Sequence, residues 1–197
     1  MSVNGRVITG FSKPYVAKYA ATGGSVSYTD RMVLARGVSV SLDIETTDDN
    51  KFYADNQVAE TAGGVFTEGT ATLTVDGTKN AARRLIFGLP AASTATASAG
   101  LVLYGDSMEV PNVGIGYVVR YMEEGVTHYV PQIIPKAKFQ LPTKEAATQE
   151  EEIDWQTEEL VATIMRDDTS NHTWFIDSDT TYSTEAAAEA RITAFFA

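Results

Sequence analysis

The 197-residue chain contains no cysteine. Disulfides and thiolate zinc sites are therefore excluded. Histidine is almost as scarce, with only His128 and His172 present, so a histidine-rich metal site is hard to assemble within one chain. No run approaches the ~20 apolar residues that a membrane helix requires. The opening Met1-Ser2-Val3-Asn4-Gly5-Arg6 has no basic segment followed by an apolar one, so a signal peptide is not expected and folding in a cytoplasm is. Positive charge is also in short supply: 15 Lys and Arg stand against 26 Asp and Glu, for a net charge of −11. Affinity for nucleic acid comes largely from cationic side chains displacing counterions, so a grip on DNA or RNA is not expected. Lys136-Ala137-Lys138 and Arg83-Arg84 are isolated basic pairs. Such an acidic surface either serves solubility alone or lets the chain sit near DNA without adhering to it.

What the sequence does have is alternation. Val38, Val40, Leu42 and Ile44 are interleaved with Ser39, Ser41 and Asp43; Ala71, Leu73 and Val75 repeat the pattern; Ile115, Tyr117, Val119 and Tyr121 make a third such face. Period-two alternation predicts half-buried antiparallel strands. The β-rich runs on either side of Met122-Glu123-Glu124-Gly125 predict a hairpin. Pro131 and Pro135 predict that the following strand is an edge or carries a bulge, and it continues with Ala137, Phe139 and Leu141 facing inward. One helix is expected over about 78–87, capped by Thr78, with Ala81, Ala82, Leu85, Ile86 and Leu89 on one face, Gly88 ending it and Pro90 blocking continuation. A second is expected from Thr184 to about Phe196, docked by Ala188, Ile192 and Phe195 or Phe196. Residues 46–64, 91–100 and 143–152 read as irregular. A loop of nearly twenty residues at 46–64 is long for a compact domain, and such loops are often functional.

Motifs with chemistry are weak. Gly114-Ile115-Gly116 opens like a dinucleotide fingerprint, but Val119 stands where the third glycine belongs and the run lies inside an alternating strand. Close backbone packing or a bulge accounts for it better. Gly23-Gly24-Ser25-Val26-Ser27 lacks the closing glycine of a nucleophile elbow and reads as a turn between strands. His128 sits in a hairpin strand and His172 in Ser170-Asn171-His172; either is chemically able to act as a base, but neither belongs to a recognisable constellation. The carboxylates of Glu150-Glu151-Glu152-Ile153-Asp154, Asp177-Ser178-Asp179 and Asp48-Asp49-Asn50 lack the tight glycine turn of a calcium loop and read as solvated faces.

Several segments, taken in order, resemble the major tail proteins of long-tailed bacteriophages. They are Lys13-Pro14-Tyr15-Val16-Ala17, Val26-Ser27-Tyr28-Thr29-Asp30, Leu34-Ala35-Arg36-Gly37-Val38, and 48–56 with Phe52-Tyr53-Ala54-Asp55-Asn56. Val113-Gly114-Ile115-Gly116-Tyr117, Lys136-Ala137-Lys138-Phe139-Gln140-Leu141-Pro142 and Glu150-Glu151-Glu152-Ile153-Asp154-Trp155-Gln156-Thr157 complete the series. Together they span most of the chain, and their order and spacing carry the resemblance. It implies a mainly β fold: an antiparallel β-sandwich or small β-barrel with one flanking α-helix and a short C-terminal helix. It also implies hexameric rings stacked into a tube, whose lumen conducts DNA, with a long loop and terminal arms bridging subunits or rings.

The expectation is therefore a structural subunit of a phage tail tube and not an enzyme, forming a single tail-tube domain over residues 1–197. The long loop lies at 46–64, and the C-terminal region at 170–197 follows the resemblance least closely. No catalytic residue, cofactor or metal is expected. The expected partners are copies of the chain itself, tape-measure and tail-terminator proteins, and DNA that passes through without specific binding; no membrane is involved. The expected location is the virion, after assembly in the host cytoplasm. Phe52, Tyr53 and Val58 in the long loop need a covering surface, which is either a neighbouring subunit or the chain's own core. Alternatives are another phage or phage-like tube, connector or decoration protein, and, from a different class, a small-ligand-binding β-barrel or a hydrolase using His128 or His172.

Overall fold

A computed structural model describes residues 5–106, 108–141 and 156–197. Besides a 3-10 turn at Thr96–Ser98, twelve elements succeed one another among the described residues: β1 (Val7–Thr22), β2 (Ser25–Val33), β3 (Gly37–Thr46), β4 (Asn50–Ala54), β5 (Gln57–Ala62), β6 (Phe66–Val75), α1 (Asn80–Phe87), β7 (Asn112–Glu123), β8 (Val126–Phe139), β9 (Glu158–Met165), β10 (Ile176–Asp177) and α2 (Glu185–Phe195). Seven strands hydrogen-bond in the order β2-β1-β7-β8-β9-β6-β3, every pairing antiparallel, and β10 adds to β8. β4 and β5 pair only with each other.

The mainly β antiparallel fold with a flanking helix and a C-terminal helix is the one that forms. The sheet bends over its own inner face until β3 lies against β1, where the Leu34 amide donates to the Pro14 carbonyl at 2.7 Å. β2 and β3, at the two ends of the order, share no ladder, so the sheet is not a closed barrel and the sandwich form fits. Inside lies one apolar cluster: Val16, Ala71, Leu73, Val75, Ile115, Tyr117, Ile134, Phe139, Leu160 and Ile164, all essentially without exposure. Every second residue of β6, β7 and β9 supplies it, as alternation dictates. α1 covers one opening with Ala82, Ile86 and Phe87, and Phe87 meets Phe139 edge to face at 6.3 Å.

β7 is buried on both faces. Its inner residues build the core, and its outer residues Gly114, Gly116 and Val118 lie under α2, which buries Ala188 and Ile192, with Phe196 just beyond its end. The two glycines permit the close approach. A Cβ on Gly116 would sit 2.5 Å from Ile192 Cγ2, and one on Gly114 would sit 2.5 Å from Phe196. Thr184 caps α2 by accepting the Ala187 amide. Polar anchors tie the helix to β1: Ser12 donates to Glu185, Tyr15 donates to Glu189, and Lys13 pairs with Glu189 at 3.6 Å.

Four local expectations need correcting. Val38 does not share the inward face, because a bulge between Gly37 and Ser39 leaves it 55% exposed. Thr78 does not cap α1: its amide and hydroxyl both donate to Glu158, at 2.8 and 2.7 Å, and Lys79 takes the cap position without a side-chain bond. β8 ends at Phe139, so Leu141 lies outside it and is exposed. Residues 46–64 are not irregular but hold the β4–β5 hairpin. Of the two readings of Pro131 and Pro135, the bulge applies. β8 is flanked by β7 on one side and β9 and β10 on the other, and its pairing with β7 jumps from Val113–Ala137 to Ile115–Ile134 around Pro135. The acidic run at 143–152 and the cluster Glu150-Glu151-Glu152-Ile153-Asp154 lie outside the described residues, except that β9 begins after them.

The packing of α2 on bare β7 backbone makes a direct test. Gly116→Val is expected to destabilise the fold by roughly 1–3 kcal/mol through overpacking, and Ile192→Ala by roughly 2–5 kcal/mol through the cavity it leaves. Urea unfolding followed by tryptophan fluorescence measures both.

Candidate functional site

The feature that the core does not explain is the β4–β5 hairpin. It turns at Asp55 and Asn56, whose φ angles of 51° and 62° are the left-handed pair of a type I′ turn. Pairing runs Ala54–Gln57, Tyr53–Val58, then Phe52–Glu60, which leaves Ala59 as a bulge. Alternation therefore places Tyr53 and Val58 on one face and Phe52 on the other. Phe52 is 64% exposed, Tyr53 62% and Val58 49%. All three residues expected to need a covering surface are brought together here, and their own core does not cover them. A hairpin with apolar side chains on both faces and no layer over either is rarely left bare in water.

Two further surfaces are open. Among the described residues, no strand pairs with the outer edge of β2 or of β3. Long unpaired edges are templates for strand addition unless blunted or covered. Among the described residues, the outer face of β3, β6 and β9 also has no covering layer, unlike that of β7 and β8 beneath α2. Its rows read Ser39–Thr74–Glu159, Ser41–Thr72–Val161 and Asp43–Thr70–Thr163, with Glu45 opposite Glu68. None of these three strands contains a Lys or Arg; Lys138 of β8, opposite Thr163, is the nearest cation in the ladder. Like charges directly opposite each other cost stability, so the Glu45–Glu68 pair is not there for the fold.

The residues with candidate chemistry sit in a strand and in turns. His128 is half-buried in β8 opposite Tyr121. His172 is exposed in a turn, with φ 50° and its Nδ1 3.4 Å from the Asp167 carbonyl. Asp167, buried, seals that turn by accepting the Thr173 amide at 2.8 Å and the Thr169 hydroxyl at 2.7 Å. Asp177 accepts from Gln132 at 3.1 Å. Among the described residues no group of three or more His, Asp or Glu is placed to hold a metal ion, and no helix is long and apolar enough to cross a membrane. Sequence reasoning missed one polar cluster: Asp168 accepts from Tyr19 and from Lys136, each at 2.7 Å, and Lys136 lies 5.2 Å over the Tyr19 ring. The Lys136 and Tyr19 hydrogen bonds hold the Asp168 carboxyl below the usual carboxylate range. Burial, then the hydrogen bond to Asp168, pushes Tyr19 up to about 12; burial, then Glu189, does the same to Tyr15. A phenol shifted this way is a poorer proton donor than a free one, so these tyrosines serve as struts.

The chain matches no protein-family model and no curated protein.

The two struts imply an alkaline instability. In the unfolded chain their phenols ionise near 10, whereas in the folded chain they stay protonated up to about 12. The unfolded state therefore binds fewer protons in that window, and the stability these groups contribute, complete below 10, is lost as pH rises through it. Tyr15→Phe with Tyr19→Phe is expected to flatten this fall, seen as a smaller drop in urea midpoint between about pH 9 and about pH 11.

Proposed function

We propose that this chain is a structural subunit that polymerises with copies of itself into the tube of a long-tailed phage tail, the class that its segments resemble. The observation that carries this reading is the β4–β5 hairpin, a projecting ribbon that is apolar on both faces and that its own core leaves uncovered. Covering both faces takes a partner surface, and repeated head-to-tail contacts between identical subunits generate rings or filaments. The open outer edges of β2 and β3 lie at opposite ends of one sheet order, so one subunit's β3 edge is free to meet a neighbour's β2 edge.

The uncovered face of β3, β6 and β9 is the surface assigned to the lumen. Its hydroxyls hydrate well, and Asp43, Glu45, Glu68 and Glu159 repel phosphate, so DNA passing along these three strands meets hydroxyls and carboxylates, with Lys138 only at the β8 margin. The tube is then a conduit with no chemistry of its own. Tape-measure and tail-terminator proteins would set its length and end, and the virion is where it would reside.

Two measurements test the reading. Thr47 bonds to Val65 at the base of the hairpin, at 2.9 Å, so residues 48–64 are removable there with a Gly-Ser link. This variant is expected to remain folded by circular dichroism yet form no tubes in negative-stain micrographs; normal tubes would remove the hairpin's role. Asp43→Lys with Glu45→Lys and Glu68→Lys is expected to leave tubes intact while making them retain DNA in a salt-dependent manner. Tubes that bind DNA no better than the parent would take these strands out of the lumen.

A further inference from the structure

We infer that the hairpin of one copy plugs into a basic cleft at the opposite end of the β3–β6 ribbon of the next copy, fixing a polar, head-to-tail stack. The inference rests on the self-assembly reading above and adds the receiving site. β3 runs from Gly37 to Thr46 and β6 returns from Phe66 to Val75, so the hairpin springs from one end of this ribbon. At the other end lies a cleft of about 740 Å³ lined in part by Lys13, Val33, Arg36, Asp76 and Lys79. β3 spans 10 residues, so the two ends lie roughly 30 Å apart at about 3.3 Å per residue. The hairpin and the cleft of one chain thus sit apart on a rigid ribbon, and they meet only between chains.

Their chemistry is complementary. The hairpin and its base carry Asp48, Asp49, Asp55 and Glu60 against the single cation Lys51, all exposed. The cleft carries three cations and one carboxylate. That carboxylate, Asp76, is already engaged by the Arg36 amide at 2.9 Å and by the Arg36 side chain. Arg36 remains 91% exposed despite this bond, Lys13 has only the 3.6 Å contact with Glu189, and Lys79 has no ion pair among the described residues. In a chain of net charge −11, such a cationic patch is the place where an acidic copy can approach without repulsion. Val33, 46% exposed in the cleft wall, offers apolar area to Tyr53 and Val58.

The absence of cysteine makes the contact directly measurable. Tyr53→Cys chains are mixed with Val33→Cys chains, assembled, and treated with a short bis-maleimide; a covalent heterodimer is expected. Tyr53→Cys mixed with Leu103→Cys, a comparably exposed position that does not line the cleft, is expected to give little. Lys79→Glu is expected to cause loss of assembly, Lys79→Met a smaller loss, with the Lys79→Glu defect relieved as salt is raised. Assemblies that form normally but link Tyr53→Cys no better to Val33→Cys than to Leu103→Cys overturn the socket and leave self-assembly standing. Assembly undiminished by Lys79→Glu also overturns the socket. A chain that stays monomeric at every concentration and salt overturns both.

Discussion

The architecture depends on one strand being buried twice. β7 gives Ile115, Tyr117 and Val119 to the core and Gly114, Gly116 and Val118 to α2. Had its outer face carried side chains of ordinary size, α2 would stand off the sheet, and Ile192 and Phe196 would lose their seat. Because α2 sits on β7 and β8, that half of the sheet is the one with a second layer among the described residues. The β3–β6–β9 half keeps one face in the core and the other bare. The same constraint that makes the fold stable therefore also makes it asymmetric, with a covered side and an open, acidic one.

That asymmetry separates what the fold needs from what it does not. The core needs nothing from Glu45 and Glu68 facing each other, nor from Phe52 and Tyr53 standing in water. Each carries a modest cost in the isolated chain: repulsion across a strand pair in one case, unfavourable apolar exposure in the other. The polar groups with ordinary structural roles are, by contrast, well satisfied. Glu158 receives Thr78 and Arg83, and Asp167 closes its turn with three donors. No buried side-chain nitrogen or oxygen among the described residues lacks a partner. Features that oppose stability thus collect on surfaces, where another molecule can compensate for them.

Much of the interior was legible because period two leaves a strong trace. Ala71, Leu73 and Val75, and Ile115, Tyr117 and Val119, face the core as their alternation requires. The C-terminal helix was readable from its cap and alanine run, and Gly114-Ile115-Gly116 was rightly set down to close packing. The β4–β5 hairpin was missed because Asn50-Lys51 and Glu60-Thr61 blur the alternation, and because its turn is made by Asp55-Asn56 without glycine. An Asp-Asn pair tolerating left-handed backbone was the signal available. β9 was not legible although Leu160, Ala162 and Ile164 alternate cleanly, because Glu158 and Glu159 extend the preceding acidic run into the strand. The Val38 bulge and the Asp168–Tyr19–Lys136 cluster depend on tertiary pairing, and no local pattern announces them.

The basic cleft was invisible for a related reason. Lys13, Arg36 and Lys79 are scattered through the sequence, each an unremarkable surface cation. They converge because β1 bulges between Ser12 and Tyr15, the β2–β3 link crosses there, and the chain leaves β6 for α1 at the same end of the ribbon. On the proposed reading, this convergence also fixes polarity. A plug and its socket at one end of a ribbon would favour closed, two-fold pairs; at opposite ends they favour indefinite head-to-tail growth. Net negative charge then disfavours wrong matches, since many other faces meet with like sign. On that proposal, the acidity that would keep a lumen from holding DNA and the acidity that would suppress wrong contacts are the same property.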